Sequence, residues 1–104
     1  MQPTRGNLFA DAAAGDGEIF TTLYASAAMR IERIASRAHA SPPGFWYDQA
    51  GDEWVAVLRG HAALEFDDGS IVALSPGDWI TIPAHARHRV RRTDDDTLWL
   101  AVHA

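Results

Sequence analysis

Two tight-turn signals constrain this chain more than any other feature. Asp67-Asp68-Gly69-Ser70 reads as a hairpin turn, because Asp and Gly tolerate positive φ. Ser75-Pro76-Gly77-Asp78 reads as a second, with Pro presetting φ. Between them lies one short apolar run, Ile71 to Leu74. Runs of this kind recur from Gly17 onward, with turn signals roughly every 8–12 residues, which is the pattern of an all-β sandwich or barrel. The other runs are Ile19 to Tyr24, Met29 to Ile34, Gly44 to Tyr47, Trp54 to Leu58, the alternating Ala62, Leu64 and Phe66, Trp79 to Ile82, His88 to Arg92, and Leu98 to Val102. The competing local reading is a helix over 19–34, where Ile19, Leu23, Ala27, Arg30 and Ile31 partly fit a helical stripe. Strands are preferred there because β-branched and aromatic residues dominate its first half.

With 104 residues, one domain is expected. Residues 1–17 read as a mostly irregular leader containing the alanine run Ala12 to Ala14, with Leu8 and Phe9 expected to dock on the body. Residues 18–104 form the β domain. Hydrophobic residues make up 47% and charged residues 22%, which argues against disorder. No apolar run approaches ~18 residues, so no membrane-spanning helix is expected. The chain has no cysteine, which excludes disulfides, thiolate metal sites and cysteine nucleophiles. All nine basic residues are Arg, against fourteen acidic residues, for a net charge of −5. Such a chain is a poor nucleic-acid binder, since affinity for the phosphate backbone comes from Lys and Arg. With no apolar segment of signal-peptide type after Arg5, a cytoplasmic location is expected.

Two stretches place metal-competent side chains beside apolar strand residues: Tyr47 through Glu53, and Gly77 through His88. Strand parity puts Glu53 on one face with Val55 and Val57, and His88 on one face with Val90 and Arg92. A carboxylate among valines is costly unless it is protonated or ionised against a cation. A buried carboxylate and a buried imidazole on neighbouring strands suit a divalent cation.

The spacing of these residues resembles the two motifs of the cupins, G-x5-H-x-H-x3,4-E-x6-G and G-x5-P-x-G-x2-H-x3-N. Glu53 and Gly60 match the E-x6-G half of the first, and Gly77, Pro83 and His88 match the G, P and H of the second. The resemblance covers roughly residues 18–104 and implies a single-domain jelly-roll β-barrel with a metal or ligand at its centre. The departures are specific. Tyr47 and Gln49 stand at the two first-motif His positions, Ser41 at the Gly, His85 at the second-motif Gly and Arg92 at the Asn.

What the resemblance implies is a small-molecule site inside the barrel. As a metal-dependent enzyme, the protein would hold a divalent ion (Fe, Mn, Ni or Zn) through Glu53 and His88 with Gln49 assisting, and Tyr47 would act as acid or hydrogen-bond donor. Asp48 would serve instead if the strand slipped by one residue. One nitrogen among several oxygens shifts preference toward harder ions or toward none, which leaves open a non-catalytic small-molecule or sugar-binding module with a hydrogen-bonded polar pocket. Trp46 and Phe45 are candidates to line the mouth and stack on a ligand ring, and Arg92 to reach an anionic substrate. His85 is expected to be an exposed loop residue, with a fourth ligand or a substrate contact as the alternative, and His39, His61 and His103 surface residues. Trp54 and Trp79 are expected in the core. The resemblance also implies a homodimer.

Overall fold

The structure, a computed structural model, describes residues 2–12 and 15–104; Met1 and the Ala13–Ala14 part of the alanine run lie outside the described residues. Among the described residues there are eight strands: β1 (Gly17–Ala25), β2 (Arg30–Arg37), β3 (Glu53–Arg59), β4 (Ala62–Phe66), β5 (Ile71–Leu74), β6 (Trp79–Ile82), β7 (His88–Thr93) and β8 (Thr97–His103). No helix among the described residues is long and apolar enough to cross a membrane. The strands form two antiparallel sheets, one of five strands in the order β1-β2-β8-β3-β6 and one of three in the order β5-β4-β7.

The helical alternative over 19–34 is replaced by the β1–β2 hairpin. Its turn is closed by Ser26, whose N–H donates to the Met29 carbonyl at 2.8 Å and whose Oγ accepts from the Ala28 and Met29 amides at 3.2 Å each. A Ser hydroxyl that satisfies local backbone groups favours a turn over helix continuation. Both turn signals of the sequence close as turns. Gly69 (φ +89°) joins β4 to β5, where the Asp68 carboxylate accepts the Ser70 N–H at 2.9 Å, and Gly77 (φ +91°) precedes β6. Gly44 to Tyr47, in contrast, is not a strand. Pro42 and Pro43 open a turn, and only Tyr47 is bridged, to His88.

The inner faces of the two sheets meet in one core. Ile34, Val55, Val57, Ile82 and Trp99 from the five-stranded sheet pack with Ala62, Leu64, Leu74 and Val90 from the three-stranded one. Trp99 is the buried tryptophan, and its indole N–H donates to Ser36 Oγ at 3.1 Å. Trp79, expected inside, is 62% exposed and stacks on Trp54 with centroids 6.3 Å apart. The run Trp79–Ile82 has apolar residues at both parities. Ile82 is buried on the inner face, which turns Trp79 and Thr81 outward. On the outer face a smaller cluster of Ala35, Leu98 and Leu58 is covered by Ala12. The leader therefore docks through Ala12 and through its carbonyls, which Arg33 holds (Leu8 O at 3.2 Å, Ala10 O at 2.7 Å), while the Phe9 side chain stays exposed.

One irregularity changes what faces inward. Along β4 and β7, Ala63 pairs with Arg92 and Leu64 with Val90, so Arg91 is an extra, bulged residue. Parity reverses there. His88 and Val90 are buried, Arg91 and Arg92 are exposed, and Thr93 is buried again.

Candidate functional site

A cavity of about 240 Å³ lies between the sheets. Its polar wall comes from inward positions of three adjacent strands, where period-two alternation repeats. β3 contributes Glu53, β8 contributes His103, and β2 contributes Arg30 and Glu32, with Glu53 and Arg30 each directly opposite His103 in register. β7 supplies His88 from the other sheet. Tyr47 and Gln49 reach the cavity from the loop before β3, fixed by backbone bonds to the β6–β7 segment: Tyr47 N–H to His88 O at 2.7 Å and His85 N–H to Gln49 O at 2.7 Å.

Glu53 and His88 are 8% and 5% exposed, and Nε2 of the imidazole lies 3.5 Å from Oε1 of the carboxylate. Nδ1 lies 2.8 Å from the Ala86 carbonyl, which can only accept, so Nδ1 carries a proton and Nε2 is the nitrogen that exchanges one with the cavity. Burial lowers the pKa of His88. The hydrogen bonds to Glu53 and to the Ala86 carbonyl, with the Glu53 charge, outweigh it, and the net displacement is upward. The imidazole therefore stays protonated to a higher pH than a free histidine.

Tyr47 stacks on His88, with ring centroids 5.4 Å apart and planes 26° from parallel. Its phenol is pushed up by burial and then by the charges of Glu18, Glu53 and Glu32. A phenol held protonated in this way donates a hydrogen bond and does not act as a base.

Of the residues singled out in the sequence, Tyr47, Gln49, Glu53 and His88 come together around the cavity, and Trp46 and Arg92 do not. The Arg91 bulge turns Arg92 to solvent, where it pairs with Asp94 at 3.6 Å, so the shared face with His88 does not exist. Trp46 packs under Arg87, whose guanidinium carbon is 5.7 Å from the ring. His85 is exposed as expected, on Asp48 at 2.7 Å, and neither lines the cavity. His103 corrects its expected surface placement. It is half-buried, with Nε2 2.8 Å from Glu32 Oε1 and 4.0 Å from Glu53 Oε2. Glu18 and Glu32 also line the cavity and were not singled out. The available signal was parity, since Glu32 shares a face with Ile34, and His103 with Trp99. In β8 both alternating sets are apolar, so alternation alone does not say which set faces inward.

The divalent ion that the motifs imply was tested against these donors. Each cavity imidazole turns its Nε2 onto a carboxylate: His88 toward Glu53 and His103 toward Glu32. Among the described residues, no group of three or more His, Asp or Glu side chains converges to hold an ion. As arranged, the donors do not fit a metal; His103 is hydrogen-bonded to Glu32 and His88 faces Glu53 at 3.5 Å, and the chemistry these acid–base pairs offer is proton transfer.

Residues 35–103 match the family described as the cupin domain. No curated protein matches the chain. Among solved structures, a putative mannose-6-phosphate isomerase from Ralstonia eutropha JMP134 is similar over 98% of both chains, with 50% identity and a TM-score of 0.93. A protein from Neisseria meningitidis shares the fold at 16% identity, covering 96% of this chain and 98% of that one (TM-score 0.76). A cupin superfamily protein from Desulfitobacterium hafniense DCB-2 does so at 21% identity, covering 83% of this chain and 75% of that one (TM-score 0.72). The paired sheets, the Glu53 and His88 positions and a family match spanning most of the β domain lead to one assignment: the chain belongs to the cupin domain family.

Proposed function

We propose that the cavity is the active site of a small-molecule isomerase, with the two sheets as the walls of a jelly-roll barrel and the Glu53–His88 pair as its proton-transferring group. The observation that carries this reading is the buried pair itself, 3.5 Å apart and facing a cavity. A volume of about 240 Å³ is below the ~300–1,000 Å³ of sites for drug-sized ligands, which favours a compact substrate. The similar structure from Ralstonia eutropha, a putative mannose-6-phosphate isomerase, supports the reaction class.

Aldose–ketose interconversion moves one proton between adjacent carbons. Ionised Glu53 takes the proton from the hydroxyl-bearing carbon beside the carbonyl, while His88 gives its Nε2 proton to the carbonyl oxygen. The resulting enediol collapses as Glu53 returns its proton to the other carbon and His88 recovers one from the remaining hydroxyl. Atoms and charges balance without an external reagent. Tyr47 donates a hydrogen bond to a substrate oxygen.

The test is deuterium uptake at C2 of aldoses and C1 of ketoses in D2O, read by NMR. Uptake that is abolished in His88→Asn and unaffected by a chelator is the expected result. Absence of uptake on sugars that nevertheless shift the His88 and Tyr47 resonances replaces this reading with the second one, a non-catalytic sugar-binding cupin. That reading is favoured by Tyr47 and Gln49 standing where the motif has imidazoles. The homodimer is proposed on the β1 edge, where Ile19, Phe20, Leu23 and Tyr24 are exposed. Light scattering that reads one copy at micromolar concentration would refute it.

A further inference from the structure

We infer that Glu32 determines ligand charge: the cavity admits an uncharged, hydroxyl-bearing molecule and excludes phosphorylated or carboxylated ones. The inference rests on the cavity being a small-molecule site, whether catalytic or not. Among the described residues the basic groups lining the cavity are Arg30, His88 and His103. Each already faces a carboxylate. Glu32 divides its two oxygens, Oε2 lying 3.4 Å from Arg30 Nε and Oε1 2.8 Å from His103 Nε2, and Glu53 takes His88 at 3.5 Å. The third lining carboxylate, Glu18, accepts the Ser36 hydroxyl at 2.9 Å and has its other oxygen 3.7 Å from His39.

Every lining cation in this arrangement already has a carboxylate beside it. An incoming phosphate would meet three carboxylates and no uncommitted cation, in a buried setting where like charges repel strongly. An ammonium group would find the carboxylates already engaged. In contrast, among the described residues the Tyr47 phenol and the Gln49 side-chain amide have no hydrogen-bond partner, and both face the cavity. Neutral donors and acceptors left free, with Trp99 and Leu64 on the apolar walls, match the hydroxyl and C–H surfaces of a polyol. Glu32 holds the decisive place because, of the lining carboxylates, it alone engages Arg30, and it makes the closer contact to His103, which Glu53 approaches only to 4.0 Å. Arg30, half-exposed at the end of β2, is the one whose charge does not depend on pH.

The probe is inorganic phosphate, titrated at constant ionic strength against wild type, Glu32→Gln and Glu18→Gln, and followed by calorimetry and by the His imidazole resonances. Wild type is expected to show no saturable binding. Glu32→Gln, which releases Arg30 and leaves His103 only Glu53 at 4.0 Å, is expected to bind phosphate at least ~10-fold more tightly, a difference of about one decade in Kd. Glu18→Gln, which removes a lining carboxylate but releases no lining cation, is expected to gain less than Glu32→Gln. Saturable phosphate binding to wild type, or a folded Glu32→Gln without the gain, overturns the inference. Should Glu32→Gln not fold, wild type titrated with an aldohexose and its 6-phosphate decides. Tighter binding of the 6-phosphate overturns the inference, and its exclusion upholds it. Failure of the isomerase reading shows separately, as lost deuterium uptake with the phosphate results unchanged.

Discussion

Tyr47 and His88 hold each other twice. Their backbones exchange a reciprocal pair of hydrogen bonds, at 2.7 and 3.1 Å, and their rings stack 5.4 Å apart. The loop before β3 is thereby fastened to the first residue of β7, and a half-buried phenol lies over the buried imidazole. The backbone pair does not depend on the Tyr47 side chain, but the stack does. Tyr47→Phe keeps the stack and is expected to change stability by less than about 1 kcal/mol while weakening ligand binding. Tyr47→Ala is expected to cost roughly 2 kcal/mol, less than the ~3–5 of a fully buried aromatic. Urea unfolding alongside ligand titration separates the two effects, and equal ligand affinity in Tyr47→Phe and wild type would remove the phenol from the site.

The Glu53–His88 pair gives stability a pH dependence of defined sign. The folded-state pKa of His88 lies above its unfolded value near 6.5. Its contribution is thus complete below about pH 6.5 and is lost as pH rises through the folded value. Thermal melts are expected to show a His88-dependent decline on that alkaline side. Glu53→Gln removes the main upward influences, so the NMR titration of His88 should move down and the decline should flatten. An unchanged midpoint for His88 in Glu53→Gln would show that the two groups are not coupled.

Glycine substitutions distinguish strain from collision. Gly69 and Gly60 both have positive φ, but a Cβ on Gly69 meets nothing within 4 Å, whereas one on Gly60 would fall 2.4 Å from the Asp96 carbonyl oxygen and 2.8 Å from Thr97 Cα. Gly69→Ala is expected to cost about 1–2 kcal/mol, the left-handed backbone penalty alone. Gly60→Ala adds a clash with backbone that cannot yield, and is expected to exceed ~3 kcal/mol or to prevent folding. Equal costs in chemical denaturation would contradict the β3–β4 turn geometry.

Arg92→Ala is expected to leave ligand binding unchanged and stability within about 0.5 kcal/mol, since its ion pair with Asp94 is exposed. Arg89→Ala should be costlier, because Arg89 joins Glu65 at 3.0 Å and the Ser41 carbonyl at 2.6 Å in a half-buried setting. Ligand binding lost in Arg92→Ala would place that guanidinium back at the cavity.

Turn chemistry made much of the fold legible. Gly69, Gly77 and the Pro42–Pro43 pair mark local backbone requirements, which short sequence windows record faithfully. Parity correctly brought Glu53 together with Val55 and Val57, because β3 is regular over that stretch. It failed for Arg92 because a bulge depends on how two strands align, which neither strand encodes alone. It also said nothing about His103, because β8 is apolar on both faces: Leu98 is buried against the leader, and Trp99 against the opposite sheet. Glu32 was missed for a related reason. A charged residue in an alternating strand suggests solvent, and its burial becomes reasonable only once Arg30 and His103 are seen beside it.

The extra residue in β7 divides that strand into two independent zones. Before it, His88 and Val90 face the cavity, while the following two arginines project into solvent on the far side of the register change. Chemistry attached at those two positions, such as a fluorophore, a surface tether or an affinity handle, would therefore report on or immobilise the molecule without entering its interior.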